Sequence, residues 1–312
     1  MQNDSEIKLF ALSSNEELGN EISSNLDIPI SSSSVSRFSD GEINIKINES
    51  IRGCDVFIIQ STSNPVNENI MELLIMVDAL KRASANTINV IIPYFGYARQ
   101  DKKSSSRKPI TSKLVANLLQ ISGVSRVLTI DLHAPQIQGF FDIPVDSLSG
   151  VFALSQYFRQ ISNKNFVAVS PNNNGITRAR KLAENLNIPL AVIDKRNFNN
   201  DFKVKVVGEV QGKDIIIIDD VVGTAETVEI VSKKLKEEGA KSIFACCTHP
   251  VLSSGFIEVL ERSDIEEFVT TNSIPVFKNT KENKIKIVSI APLISDAIKR
   301  VSKNVSVSDL FE

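Results

Sequence analysis

Residues 216–228 read Ile-Ile-Ile-Asp-Asp-Val-Val-Gly-Thr-Ala-Glu-Thr-Val. An apolar run of strand length ends in two carboxylates. Small and hydroxyl residues then lead into a helical pattern from Thr224 to Glu238, with Gly239 as its C-cap. A turn of this kind can offer backbone N–H groups and the positive end of a helix to a phosphate, while Asp219 and Asp220 could bind ribose hydroxyls or a metal. A carboxylate pair that only caps a helix would read the same way locally.

Working outward, similar apolar runs recur at Ile7–Leu12, Val56–Ile59, Ile88–Ile92, Val127–Ile130, Phe166–Val169, Leu190–Ile193 and Ile243–Cys247. Such runs suit strands buried on both faces. Helical patterns lie between them at Glu68–Ala85, Thr111–Ile121 and Ile176–Leu186. Strand alternating with helix predicts an α/β chain with parallel sheets, right-handed crossovers and function in the strand-to-helix loops. Glu42–Ile47 differs: its period-two alternation reads as a half-exposed strand, a projecting flap or interface ribbon. Ser31–Ser34 reads as a short surface turn.

A chain of 312 residues accommodates two domains. Val127–Asp131 and Ile215–Asp219 each drive an apolar strand into an aspartate, so a duplicated domain is expected, with a seam between Asp146 and Gln160 and domains at 1–150 and 151–312. Charge is balanced, 35 basic against 37 acidic residues for a net of −2, which argues against a nucleic-acid partner. No apolar run reaches membrane-spanning length and the first residues are polar, so no membrane association and a cytoplasmic location are expected. Cys54, Cys246 and Cys247 fit no zinc spacing and read as buried thiols.

Three further segments carry chemistry. In Tyr94-Phe95-Gly96-Tyr97-Ala98-Arg99-Gln100-Asp101, a guanidinium and an amide follow an aromatic- and glycine-bearing turn, which suits a phosphate and a stacked base; a solvated loop with packed rings is the alternative. Asp40-Gly41 alone reads as a hairpin turn. His133 follows a strand and Asp131, where a neutral imidazole can coordinate a cation or serve structure; His249, before Pro250, keeps a structural reading. Lys195 closes the strand Ile188–Asp194.

The 216–228 segment resembles the phosphoribosyl-diphosphate-binding loop of type I phosphoribosyltransferases and of ribose-phosphate pyrophosphokinases, usually Asp-Asp-x-x-Asp-Thr-(Gly/Ala)-Gly-Thr. Phe38-Ser39-Asp40-Gly41-Glu42, the Tyr94–Asp101 string, and Asp131-Leu132-His133-Ala134-Pro135-Gln136-Ile137-Gln138-Gly139-Phe140-Phe141 resemble signatures of the second family, bacterial class I type, in order and spacing along essentially the whole chain. The resemblance implies two phosphoribosyltransferase-like domains. It also implies transfer of the diphosphoryl group of ATP to ribose 5-phosphate, giving 5-phosphoribosyl 1-diphosphate and AMP.

By the same resemblance, Arg99, Gln100 and the Asp40-Gly41-Glu42 turn of a neighbouring subunit would contact ATP, and Asp219, Asp220, Thr224 and Thr227 the ribose phosphate. His133 would be a Mg²⁺ ligand and Lys195 the catalytic lysine on a flap. The assembly would be a homo-oligomer, a hexamer. Arg52, Ser84 and Ser306-Val307-Ser308 resemble pieces of the family's allosteric site.

Four positions depart from the pattern. Asn172, in Ser170-Pro171-Asn172-Asn173-Asn174-Gly175, stands where the family has a metal-binding aspartate. Asn197 stands where Lys-Arg-Arg has its second arginine, Gly223 replaces the third loop aspartate, and Glu226 replaces the glycine beside the 5-phosphate. A carboxylate about 4 Å from a phosphate costs ~4 kcal/mol at an effective dielectric of 20, so Glu226 must point outward or ribose 5-phosphate binds weakly. Three functions follow: an active synthetase with unusual site residues, a catalytically weak paralogue that binds nucleotide and supports an active partner in a mixed oligomer, and a phosphoribosyltransferase, for which the ATP-side segments would have no purpose.

Overall fold

The computed structural model describes residues 6–161, 164–198, 201–224, 226–276 and 284–310, with backbone alone at 195–198 and 201–204. The chain divides into two compact units, Met1–Ser149 with Ser273–Pro275 and Ile290–Glu312, and Gly150–Asn272 with Val276–Ser289.

Unit 1 runs β1 (Ile7–Ala11), α1 (Glu16–Leu26), β2 (Ser33–Arg37), β3 (Ile43–Ile47), β4 (Asp55–Ile59), α2 (Val66–Arg82), β5 (Thr87–Ile92), α3 (Thr111–Ser122), β6 (Arg126–Ile130) and β7 (Val145–Leu148). Its five-stranded sheet is ordered β1-β4-β5-β6-β7. Every neighbouring pair in it is parallel. Strands such as Val90–Ile92 are buried on both faces, which explains their unbroken apolar composition. Helix α2 turns Ile70, Leu73, Met76, Val77 and Leu80 inward at helical spacing, and its one buried carboxylate, Glu72, accepts the Ser13 N–H at 2.9 Å and the Ser13 hydroxyl at 2.5 Å.

Strands β2 and β3 form a separate antiparallel hairpin. The Glu42–Ile47 alternation is thus a strand, but Ser33 and Ser34 are its partner rather than a surface turn. The reason is cross-strand pairing: Ser-Ser-Val-Ser-Arg is largely exposed and has little strand pattern of its own, and five register pairs with β3 hold it extended.

Unit 2 runs α4 (Val151–Arg159), β8 (Phe166–Ser170), α5 (Ile176–Leu186), β9 (Leu190–Phe198), β10 (Asp201–Val207), β11 (Asp214–Val222), α6 (Glu226–Glu237), β12 (Ser242–Pro250), α7 (Phe256–Arg262), β13 (Glu267–Thr271) and β14 (Ile285–Val288). The sheet is ordered β10-β9-β8-β11-β12-β13-β14, and only the β9–β10 pair is antiparallel. The chain leaves β8 toward β9 on one side and returns to β11 on the other, so the winding reverses between β8 and β11. Helix α6 ends in the expected left-handed Gly239, φ +86°, with the Gly239 N–H bonded to Lys236 O at 2.9 Å and the Ala240 N–H to Leu235 O at 3.0 Å.

The strand expected to close at Lys195 instead continues to Phe198, because β10 pairs with it antiparallel and places Lys195 opposite Val204. Strand β10 is the edge of the sheet, and the polar composition of residues 194–205 hides the pairing from the sequence. The Lys195 and Asn197 side chains lie outside the described residues. Cys54, Cys246 and Cys247 are free and buried, and His249 is buried in β12. No helix among the described residues is long and apolar enough to cross a membrane.

The chain's last helix, α8 (Ala291–Ser302), belongs to unit 1 rather than to the unit that precedes it in sequence. It lies against α1. Ile294, Ala297 and Ile298 of α8 and Leu18 and Ile22 of α1 are buried, and Lys299 Nζ donates to Asn25 O at 3.1 Å. Helix α8 is therefore part of the unit 1 core. Replacing Ile298 with Ala is expected to cost ~2–5 kcal/mol of stability, the range for a buried Ile-to-Ala change, read by denaturant unfolding. A loss below about 0.5 kcal/mol, the scale of surface substitutions, would show α8 to be peripheral.

Candidate functional site

In unit 1 the loop after β5 is held by one hydroxyl. Thr62 Oγ1 donates to Tyr94 O at 3.0 Å and accepts the Gly96 N–H at 2.6 Å, while the Thr62 N–H also bonds Tyr94 O at 2.9 Å. Gly96 lies so close to the Thr62 carbonyl that a Cβ would collide with it. Tyr97 takes a left-handed φ of +63°, uncommon for a residue with a side chain. Its hydroxyl donates to Asn67 Oδ1 at 2.5 Å and its carbonyl accepts the Gln100 N–H at 2.8 Å.

Gln100 is tied to the start of α3. Its Oε1 accepts the Thr111 hydroxyl at 2.5 Å and its carbonyl accepts Ser112 Oγ at 3.0 Å. Arg99 between these anchors is exposed, with no ion pair among the described residues. The result is a fixed backbone that presents one uncommitted guanidinium, a ready anion ligand. Sequence alone does not single out Thr62 or Thr111. Their signal is hydroxyl residues next to the strand end and at the helix start.

The Asp40-Gly41-Glu42 turn joins β2 to β3. Gly41 sits at φ +94°, and the Glu42 N–H bonds Asp40 Oδ1 at 3.2 Å. Asp40 and Glu42 are exposed and make no hydrogen bond or ion pair with Arg99 or Gln100 among the described residues. The hairpin is fastened to α2 by Arg37 Nη2 and Glu68 Oε2 at 2.5 Å. His133 is exposed just past β6. Its neighbour Asp131 has φ +38°, held by its N–H on Leu148 O at 2.9 Å and the Leu132 N–H on Ser147 Oγ at 3.3 Å.

In unit 2 the loops after β8 and β11 flank the winding reversal, where open α/β sheets bind ligands. Asp219 and Asp220 follow the apolar run Ile215–Ile218 of β11, and Arg178 of α5 reaches both: Nη1 is 3.5 Å from Asp219 Oδ1 and 3.4 Å from Asp220 Oδ1. Burial and then the neighbouring Asp220 push the Asp219 carboxyl up to about 7, against the opposing pull of Arg178. At neutral pH the pair can therefore both donate and accept hydrogen bonds. Sequence alone does not single out Arg178 either; it lies on the helix after Ser170–Gly175, and only folding brings it to β11.

Asn172 caps the turn at Asn173–Gly175. Its Oδ1 accepts the N–H groups of Asn174 at 2.9 Å and Gly175 at 3.0 Å. The atom left over is an amide nitrogen, which cannot ligate a cation. The Gly223 carbonyl accepts the Ser253 N–H at 3.0 Å and Oγ at 3.1 Å, which ties the β11 loop to the loop before α7. Glu226 opens α6 with an exposed side chain, Thr224 is exposed and Thr227 half-buried. A carboxylate in the first turn suits the helix dipole and opposes an incoming anion.

The raised Asp219 has a stability consequence. The folded state holds its proton up to about pH 7 and the unfolded chain only to about pH 4, so this contribution is present below pH 4 and lost as pH rises through 7. Asp219→Asn is expected to be more stable than the parent at pH 8, by at least ~1.4 kcal/mol, the free energy of a tenfold change in proton affinity, and the gap should close toward pH 4. Thermal unfolding at both pH values checks this; a gap independent of pH would contradict it.

Comparison with known proteins bears on the same segments. Residues 7–123 match a model described as the N-terminal domain of ribose phosphate pyrophosphokinase, and residues 195–312 a model of the phosphoribosyl synthetase-associated domain. Ribose-phosphate pyrophosphokinases of Bacillus caldolyticus and Bacillus cereus are 57% and 56% identical to this chain over 309 residues, covering 98% of each chain. That of Bacillus subtilis is 54% identical over 310 residues, covering 99% of this chain and 98% of its own. The crystal structure of phosphoribosylpyrophosphate synthetase from Mycobacterium smegmatis superposes with a TM-score of 0.92 at 38% identity, covering 96% of this chain and 100% of the other. Two parallel α/β units, a carboxylate pair at a winding reversal and identity above half along nearly the full length agree: the chain belongs to the ribose-phosphate pyrophosphokinase family of enzymes.

Proposed function

We propose that this chain transfers the diphosphoryl group of ATP to ribose 5-phosphate, at a turnover lowered by its four departures from the family pattern. The observation that carries the reading is the Asp219–Asp220 pair, held by Arg178 at the β8–β11 reversal and followed by a helix N-terminus. Vicinal ribose hydroxyls fit a partly protonated carboxylate pair, and Thr224, Thr227 and the N-terminus of α6 suit the 5-phosphate. In unit 1, Arg99 and Gln100 take the nucleotide, with Asp40, Gly41 and Glu42 supplied by a neighbouring copy.

The C1 hydroxyl oxygen attacks the β-phosphorus and loses its proton. The bond from that phosphorus to the α,β-bridging oxygen breaks, and AMP leaves. Lys195 steadies charge on the transferring group.

Among the described residues no group of three or more His, Cys, Asp or Glu side chains could hold a metal ion. His133 would hold Mg²⁺ brought with the nucleotide, where the cation would offset phosphate charge, and Asn172 would offer it no carboxylate. Assembly from copies of the chain, a hexamer in this reading, is supported by the exposed α3 stripe Leu114, Leu118 and Ile121 and by Phe38 at the hairpin.

The nucleotide-side residues follow the family and the departures gather on the ribose-phosphate side. One observation, the Glu226 carboxylate in the first turn of α6, favours a second reading: a nucleotide-binding subunit that supports an active paralogue in a mixed oligomer.

Three outcomes are expected. Arg99→Ala weakens ATP binding by ~1.5–3 kcal/mol in calorimetry, the worth of a hydrogen bond to a charged group. Light scattering finds an oligomer at micromolar concentration, and a clean monomer would leave the nucleotide site incomplete. In an assay with MgATP and ribose 5-phosphate, the combined change Asn172→Asp, Asn197→Arg, Gly223→Asp and Glu226→Gly raises turnover by orders of magnitude, with little from any single change because such groups act together. Parent turnover already at ~1–100 per second, typical of kinases, would refute the lowered rate; no product even from the restored chain would refute the activity. Inactivity of the parent alone, with stimulation of an intact synthetase on co-assembly, would establish the supporting role.

A further inference from the structure

A cleft of about 700 Å³ opens in unit 1 at the amino ends of its strands, the opposite ends from Arg99, Gln100 and His133. Its floor is one face of the sheet. Asp55 pairs in register with Thr87, and Phe57 with Asn89. Asn89 pairs in turn with Arg126. Directly paired residues share a face. Two residues along the same strands, that face carries the buried apolar side chains Ile59, Ile91 and Leu128. It turns polar only where the end of α8, at Lys303, forms a wall rather than a cover.

The polar groups there are directional. Asn89 is buried, 5% exposed. Its Nδ2 donates to Val56 O at 3.3 Å and to Thr87 Oγ1 at 3.0 Å. The Val56 carbonyl can only accept, so the amide orientation is fixed and Oδ1 is left without a donor among the described residues. Thr87 Oγ1 donates a hydrogen bond to Asp55 Oδ1 at 2.6 Å, and the same oxygen accepts Asn86 Nδ2 at 2.8 Å. Asp55 Oδ2 is left over. Both oxygens are acceptors that remain open to a donor supplied by a ligand or by water in the cleft.

The rim has the opposite sign. Lys303 is exposed and makes no ion pair among the described residues. Arg126 gives Nη1 to Asp146 and keeps the rest of its fork. The inner edge therefore asks for O–H or N–H donors and the rim for an anion, in a volume suited to a small metabolite.

We propose that this cleft is a second ligand site, taking a hydroxyl-bearing phosphate monoester: hydroxyls on Asn89 and Asp55, phosphate toward Lys303 and Arg126. It shares no residue with Arg52, Ser84 or Ser306–Ser308, and it does not depend on the activity proposed above.

Hydrogen exchange followed by mass spectrometry locates the binding directly. The probes are ribose 5-phosphate, AMP and inorganic phosphate, each at millimolar concentration with the full chain. Either ester is expected to slow exchange at least threefold over 86–92 and 299–305, separately from any effect over 94–101 or 216–228; which ester does so tells sugar phosphate from nucleotide. Lys303→Glu, a surface change that leaves the core intact, should remove that protection and weaken binding there at least tenfold while leaving the 94–101 response unchanged. Asn89→Leu, with the same unfolding midpoint as the parent, should do likewise. No protection at the cleft by either ester, protection equally strong with inorganic phosphate alone, or protection surviving Lys303→Glu would each overturn the proposal. Failure of the activity reading would show in turnover and not in these segments.

Discussion

A strand hydrogen-bonded on both sides and covered by helices on both faces has no polar surface except at its ends. That constraint organises this protein. Strand β11 runs through Ile215–Ile218 fully buried and turns polar at Asp219 and Asp220, near the end of its pairing with β12 and just before the loop to α6. The carboxyl ends of β5, β6 and β8 likewise lead to Arg99, His133 and Asn172. Because the strands that carry them run parallel, these loops in a unit emerge on one edge of the sheet. Chemistry is concentrated there without any residue having to leave the core.

The carboxylate pair shows what such an edge costs and how the cost is met. Two adjacent acids at the end of a buried strand repel and are poorly solvated. One proton, taken up by a carboxyl pushed to about 7, and one guanidinium, Arg178, resolve the conflict. Arg178 comes from α5, the helix that leaves the neighbouring strand, so the winding reversal is also what delivers the counter-charge. The Asn172 turn lies between β8 and α5, and its cap bonds fix the start of the helix that carries Arg178.

Asn172, Gly223 and Glu226 do different things locally. Asn172 keeps the capping role that an aspartate would have and loses only the second oxygen. Gly223 ties the loop by its carbonyl, which accepts from the Ser253 N–H and hydroxyl. Glu226 adds a charge at the end of a helix that is favourable for the helix and unfavourable for a bound phosphate. Folding accommodates all three, since each satisfies its local backbone or suits the helix it opens.

The sequence by itself determined the α/β class, most of the parallel strands, the helix after Asp219–Asp220, the Gly239 cap and the family, because buried strands and loop motifs are written in contiguous residues. It also marked Arg99, Gln100, His133 and the carboxylate pair as candidates. Only the tertiary structure decided that Ser33–Arg37 is a strand, that β9 runs on past Lys195, and that the last helix returns to the first unit, since each depends on a partner distant in sequence. The same is true of Arg178 on the two acids, of Thr62 under the Arg99 loop and of the row Phe57–Asn89–Arg126. Side chains on separate elements acquire a common function through register and winding, which local pattern does not encode.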